Sequence, residues 1–285
     1  PSFLQDENWI NGGSMATAVV CAYSTVGREA LAGLLDCGVE VKALYTYAQS
    51  ADESWFEPPA ALAGNRGIPV RMEASFNADS VYEAIRGLRP DFLFSFYFRE
   101  MIQARFLELP RLGAYNLHGS LLPRYRGRAP INWVLVRGEA ETGVTLHAMT
   151  PKPDDGCIVG QARLPIAWDE TALSLTLRAG EAGRALVRET APRLADGSAT
   201  RVDQRTLGPS SYFGGRKPAD SRLDFAMPAA EAFNQIRAVA DPWPNAFLET
   251  ERGAVKIPWA LPAREACAPG RFRVTGEGVL LGFAY

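Results

Sequence analysis

The residues best suited to chemistry in this sequence are Asn116, His118 and the adjacent carboxylates Asp154 and Asp155. In the run Tyr115-Asn116-Leu117-His118, strand alternation puts Asn116 and His118 on one face and Tyr115 and Leu117 on the other. A carboxamide and an imidazole at the carboxyl end of a strand stand where open α/β sheets bind ligands. An imidazole moves protons near its ordinary pKa of about 6.5. An amide N–H donates to the oxyanion that forms when a carbonyl is attacked. The plainer reading is a hydrogen-bonded framework histidine, and spacing does not separate the two. The following loop, 121–127, carries Arg124 and Arg126 toward the same edge.

A second cluster, Thr150-Pro151-Lys152-Pro153-Asp154-Asp155-Gly156, marks a tight loop, and either aspartate can be the functional one. An ordinary turn with solvated carboxylates is the competing reading. His147, opposite Leu146 in the preceding strand, reads as structural, with a catalytic role as the alternative. No serine sits in a nucleophile elbow, and Cys157, at a strand start, reads as a buried thiol. With two histidines, a metal centre built on several imidazoles is excluded. Cys21, Cys37, Cys157 and Cys267 form no C-x-x-C pair, which argues against a zinc site or a disulfide framework and suits a reducing cytoplasm.

These residues need a scaffold. The 285 residues are 47% hydrophobic and 22% charged, enough for two domains with cores of their own. Residues 1–14 are polar and poorly patterned, and read as an extraneous leader before a native start at Met15. From 16 to about 151, apolar strands (16–23, 39–46, 68–71, 91–97, 115–118, 143–149) alternate with helices at 26–36 and 78–88, around a looser region at 57–59. That order predicts an α/β, Rossmann-like, mostly parallel doubly wound sheet in a catalytic domain, 15–207. The turn after the first strand, Ser24-Thr25-Val26-Gly27-Arg28, lacks G-x-G-x-x-G, so a nicotinamide dinucleotide is not expected; a Walker A loop is absent too. Residues 208–220 read as a linker rich in Gly, Ser and Pro. Beyond it, a helix at 228–240 and strands at 246–250, 255–259, 270–274 and 278–283 predict a small OB-like β-barrel domain, 221–285, with its last strand cut at Tyr285. No apolar run approaches the roughly 18–20 residues of a membrane span.

The pattern Asn116-x-His118-x-Ser120-Leu121-Leu122-Pro123-x-x-Arg126-Gly127, followed 36 residues after the histidine by Asp154-x-Gly156, resembles the signature of folate-dependent formyltransferases. Three further stretches resemble the ArnA-type branch of that family, which formylates UDP-4-amino-4-deoxy-L-arabinose during lipid A modification and polymyxin resistance. They are Arg126-Gly127-Arg128-Ala129-Pro130-Ile131-Asn132-Trp133-Val134-Leu135, Gly143-Val144-Thr145-Leu146-His147, and 237–244, which ends Asp241-Pro242-Trp243-Pro244. The resemblance covers about 15–285.

It implies a one-carbon group transferase that moves formyl from 10-formyltetrahydrofolate to an amine, with no metal. It implies a catalytic triad of Asn116, His118 and Asp154, and only the match to Asp-x-Gly selects Asp154 over Asp155. It also implies a folate site at Glu100, Met101, Ile102, Arg128, Thr150, Pro151, Lys152, Pro153 and Asp154, in which position 100 is the softest match. In this chemistry a protonated His118, favoured by Asp154, would join Asn116 as an oxyanion donor. The implied partner is a small sugar nucleotide, the implied location the cytoplasm, and a homo-oligomer is compatible. The decarboxylating dehydrogenase domain of ArnA-type proteins matches nothing here. Methionyl-tRNA formyltransferase is the alternative, but residues 201–285 hold 11 Lys and Arg against 9 Asp and Glu, and the whole chain has a net charge of -2. That is thin for holding a polyanion. An inactive folate- or nucleotide-binding module is the second alternative, and the retained triad argues against it.

Overall fold

Strand–helix alternation produces the expected sheet, seen in a computed structural model that describes residues 15–263, 267–274 and 279–284. The expected leader, 1–14, lies outside the described residues. In chain order the amino-terminal elements are β1 (Thr17–Ala22), α1 (Ser24–Asp36), β2 (Glu40–Tyr45), α2 (Pro59–Asn65), β3 (Val70–Arg71), α3 (Asp79–Leu88), β4 (Phe92–Phe96), α4 (Ala104–Leu107) and β5 (Gly113–His118). Then follow β6 (Arg126–Gly127), α5 (Pro130–Val136), β7 (Glu141–Ala148), β8 (Ile158–Pro165), α6 (Ala172–Ala195) and β9 (Tyr212–Phe213). The carboxyl-terminal elements are α7 (Ala229–Ala238), β10 (Ala246–Thr250), β11 (Gly253–Ile257), β12 (Phe272–Val274) and β13 (Val279–Leu281).

Seven strands form the main sheet in the order β3-β2-β1-β4-β5-β7-β8. It is parallel from β3 to β5, and β7 and β8 are added antiparallel. Every residue of β4, Phe-Leu-Phe-Ser-Phe, is buried, because both faces of the sheet are covered. On one face Val20, Phe94 and Leu117 meet α1 and α6; on the other Val19, Leu93 and Ala114 meet α3 and α4. Thr171 starts α6 with a reciprocal capping box to Ser174.

The α1–α6 contact is close because Gly33 has no side chain: a Cβ there would lie 2.5 Å from the Arg184 carbonyl oxygen. Gly33→Ala is therefore expected to cost about 1–3 kcal/mol. Urea denaturation should show a lower midpoint with an unchanged slope.

The carboxyl-terminal unit buries Leu223, Ile236, Val239, Ala246 and Leu248. Its described strands form two antiparallel ribbons, β10–β11 and β12–β13, and the rest of the expected barrel falls partly outside the described residues. Two local readings gain detail, and a third needs correction. The looser region at 57–59 leads directly into α2, whose Pro59 occupies a first-turn position that needs no N–H donor. The expected linker 208–220 holds β9, which pairs parallel with β6. Cys157 is exposed rather than buried, in the loop one residue before β8 begins and outside the alternation that would have turned it inward. Among the described residues no helix is long and apolar enough to cross a membrane.

Candidate active site

β5 ends at His118, beside the carboxyl end of β4 in parallel register, with Ser95 opposite Asn116 and Phe96 opposite Leu117. On its other side β7 sets His147 opposite Asn116. The 150–156 loop then folds back over this edge. Gly156 allows the return, since a Cβ there would lie 1.9 Å from the Ala148 carbonyl oxygen. That close approach is a physical reason for glycine two residues after Asp154, which itself adopts a left-handed φ of 50°.

Asp154 is the meeting point. Its Oδ1 lies 3.5 Å from His118 Nδ1, His147 Nε2 and Asn116 Nδ2 alike. Its Oδ2 accepts the Gly127 N–H at 2.8 Å. Asn116 Nδ2 is also 3.1 Å from His147 Nε2. Both histidines are pinned from behind by carbonyls, which can only accept. His118 Nε2 faces the Tyr125 oxygen at 2.7 Å and His147 Nδ1 faces the Ala148 oxygen at 2.8 Å. His118 therefore carries its proton on Nε2 and presents Nδ1 to Asp154.

Burial pushes the His118 pKa below the ordinary 6.5, and this outweighs Asp154 and the Tyr125 carbonyl, which favour the charged ring. The protonated resting His118 expected from its carboxylate neighbour is thus corrected, because desolvation wins. Burial also works against the charged form of Asp154, but His118, His147 and the Gly127 N–H prevail and hold its carboxyl at about 2. The resting pair is an anionic carboxylate beside a neutral imidazole.

The sign for pH follows. A depressed histidine is charged only below its folded pKa, so kcat/KM should be flat near neutrality and fall on the acid side below about pH 6.5. The same group favours folding above the unfolded pKa, and this contribution is lost as pH falls through the folded value. A pH–rate profile whose acid limb lies above 7 would contradict this assignment.

These groups line a cavity of about 400 Å³ together with Tyr97, Phe98, Met101, Ile102, Arg128, Met149, Thr150 and Pro153. Glu100 also reaches the cavity, but its carboxylate is bound by Ser75 Oγ at 2.7 Å, the Phe76 N–H at 2.9 Å and Asn77 Nδ2 at 3.2 Å. It braces the 75–77 turn. Pro151 and Lys152 do not line the cavity, and Lys152 pairs outward with Asp155 at 3.1 Å. Among the described residues nothing pairs with the Arg128 guanidinium, which leaves a free cation at the rim.

One supporting residue, Gln204, escaped sequence reasoning. Buried Gln204 donates to the carbonyls of Asp154 at 3.0 Å and Gly156 at 2.7 Å, and accepts from Arg126 at 2.9 Å. Arg126 in turn pairs with Asp155 at 2.5 Å. Asn132 and Trp133 lie outside the cavity lining: Asn132 Nδ2 binds the Ala238 carbonyl at 2.7 Å, tying α5 to α7, and Trp133 Nε1 binds the Gly214 carbonyl at 2.9 Å.

An α/β sheet with a carboxamide, an imidazole and a carboxylate gathered at the carboxyl end of β5 is a scaffold for attack on a carbonyl. The sequence profile of the formyl transferase family matches residues 39–190, and that of the formyl transferase C-terminal domain matches 216–282. The chain belongs to the formyl transferase family and is a formyl-transferring enzyme. Among solved structures it is similar to an N-formyltransferase from Helicobacter canadensis in complex with folinic acid and dTDP-3-aminofucose. The identity is 22% over 95% of this chain and 96% of that one, with a TM-score of 0.74. It is also similar to WlaRD, a sugar 3N-formyl transferase seen with dTDP and 5-N-formyl-THF, at 20% identity over 95% of each chain and a TM-score of 0.73. A 4-N formyltransferase from Francisella tularensis matches at 18% identity over 88% of this chain and all of that one, with a TM-score of 0.69. At these identities the likeness is one of fold.

Proposed function

We propose that this enzyme transfers the formyl group of 10-formyltetrahydrofolate to the amine of a sugar nucleotide, with UDP-4-amino-4-deoxy-L-arabinose as the first candidate. The observation that carries the reading is the convergence of Asn116, His118 and His147 on the single Oδ1 of Asp154 within a cavity at the sheet edge. Full-length similarity to enzymes described with folates and dTDP-sugars supports the substrate class. The 126–135 and 237–244 runs support the narrower candidate through sequence resemblance. Their Asn132 and Arg237 serve packing between α5, α7 and the loop before α6.

The chemistry is an exchange of one C–N bond for another. The neutral sugar amine attacks the formyl carbon, and the carbonyl π pair moves onto oxygen. Asn116 Nδ2 faces His147 Nε2 at 3.1 Å and Asp154 Oδ1 at 3.5 Å in the resting site, and the hydrogen on the longer contact turns from Asp154 to that oxyanion. His118 Nδ1 takes the proton released by the amine, and the transient imidazolium is stabilised by Asp154. Collapse of the intermediate breaks the bond to the folate nitrogen, which receives the same proton. The product is a formamide and tetrahydrofolate. Met101, Phe98 and Met149 offer an apolar wall for the folate, and Arg128 at the cavity rim suits an anionic tail or a diphosphate.

A panel of UDP- and dTDP-amino sugars, assayed with 10-formyltetrahydrofolate alongside methionyl-tRNA, tests the reading. We expect at least one sugar nucleotide to be formylated and tRNA to be ignored at low and moderate salt, since tRNA needs a basic track. Efficient formylation of tRNA with every sugar nucleotide untouched would overturn the substrate class.

A further inference from the structure

We infer that the segment 211–214, which joins the two domains, is a positioning element for the transfer reaction: it clamps the two backbone groups that hold His118 and Asp154. The inference rests on the proposed function only where turnover is read. Ser211 Oγ accepts from the Tyr125 N–H at 2.8 Å, its carbonyl accepts from the Arg126 N–H at 2.9 Å, and its own N–H donates to the Pro123 carbonyl at 3.3 Å. The Phe213 carbonyl accepts from the Arg128 N–H at 2.9 Å. The Phe213 ring stacks on Tyr125 with centroids 4.9 Å apart and planes 10° from parallel.

Residues 125–128 thus have two sides. Outward they are bonded to 211–214. Inward, the Tyr125 carbonyl accepts a hydrogen bond from His118 Nε2 and the Gly127 N–H donates to Asp154 Oδ2. Gly127 admits the close pairing, since a Cβ there would lie 2.1 Å from the Phe213 carbonyl oxygen, and its φ is 97°. The two-residue strand β6 has no strand partner but β9 among the described residues. If it is freed, both inward groups can drift, and a displacement of about 1 Å in a catalytic geometry costs on the order of 100-fold in rate.

The segment Ser211-Tyr212-Phe213-Gly214 carries no charge. The charged and titratable groups facing His118 are Asp154, His147 and Arg126, all outside it. Whatever 211–214 does to His118 therefore passes through the Tyr125 carbonyl and through the Gly127 N–H that holds Asp154, and both Asp154 and the Tyr125 carbonyl favour the charged ring.

The test uses the full chain labelled with 15N-histidine, in which only two imidazoles report. In the wild type His118 should read as the Nε2–H tautomer and His147 as Nδ1–H. In Phe213→Ala, His118 should populate both tautomers and titrate at lower pH, while His147, held by Ala148, keeps its tautomer. Turnover should fall 10- to 100-fold with an acid limb at lower pH and the KM for the amine within threefold. Phe213→Tyr, which keeps the ring, should restore both signals and rate. Should Phe213→Ala not fold, Ser211→Ala removes only the hydroxyl on the Tyr125 N–H and should move the same readouts by less. A folded variant with unchanged His118 tautomer and titration overturns the inference, as does one with wild-type turnover. The NMR arm needs no substrate, so a wild type that formylates no sugar nucleotide would sink the proposed function and leave this inference to be decided separately.

Discussion

His118→Ala is expected to lower turnover at least ~100-fold while folate binding survives in part. General acid–base catalysis by one side chain is worth about 100- to 10,000-fold, and in the proposed reaction His118 Nδ1 takes the amine proton and returns it to the leaving nitrogen. Its other nitrogen is committed to the Tyr125 carbonyl at 2.7 Å. The ring thus acts through one defined atom, which alanine removes without disturbing the apolar wall at Phe98 and Met101. Rapid-quench measurement of the chemical step is the check. A variant within threefold of wild type, with chemistry rate-limiting, rules His118 out.

The two neighbouring aspartates are expected to part company. Asp154→Asn removes the charge on which Asn116, His118 and His147 converge, and should abolish most activity. It should also lower the His118 pKa further, because Asp154 is the main group favouring the charged ring. Asp155→Asn leaves that cluster whole but deprives buried Arg126 of its ion pair. Its cost should appear as stability, about 1–3 kcal/mol, with turnover changed only a few-fold. Steady-state kinetics and thermal melts of both variants separate the outcomes. Equal loss of turnover would mean the catalytic carboxylate has been placed one residue out.

Strand periodicity made much of this legible. Alternation at 115–118 put Asn116 and His118 on one face, and they do share the cavity. The apolar run at 91–97 gave β4, which is buried throughout. What periodicity misses is anything set by a long-range crossing. His147 looked structural because its own strand alternates normally; only the antiparallel addition of β7 next to β5 brings it beside Asn116. Gln204 carries no local pattern, and reaches the site from a 3₁₀ turn 50 residues beyond Asp154. Residues 211–214 read as a linker because Gly, Ser and Pro dominate their surroundings, yet their backbone pairs with β6. The charge state of His118 is not legible in the sequence for a related reason. A neighbouring carboxylate can be inferred from a motif, but the depth of burial depends on the whole fold.

The central claim is that this cavity moves a formyl group from a folate nitrogen to a sugar amine, with His118 and Asp154 handling the proton. The most direct test is to follow [formyl-13C]10-formyltetrahydrofolate by 13C NMR with the enzyme and an amino-sugar nucleotide. The formyl signal should move to a sugar formamide with wild-type enzyme and remain on the folate with His118→Ala. Release of the label as formate, or its persistence on the folate with every sugar amine offered to the wild type, would contradict the account.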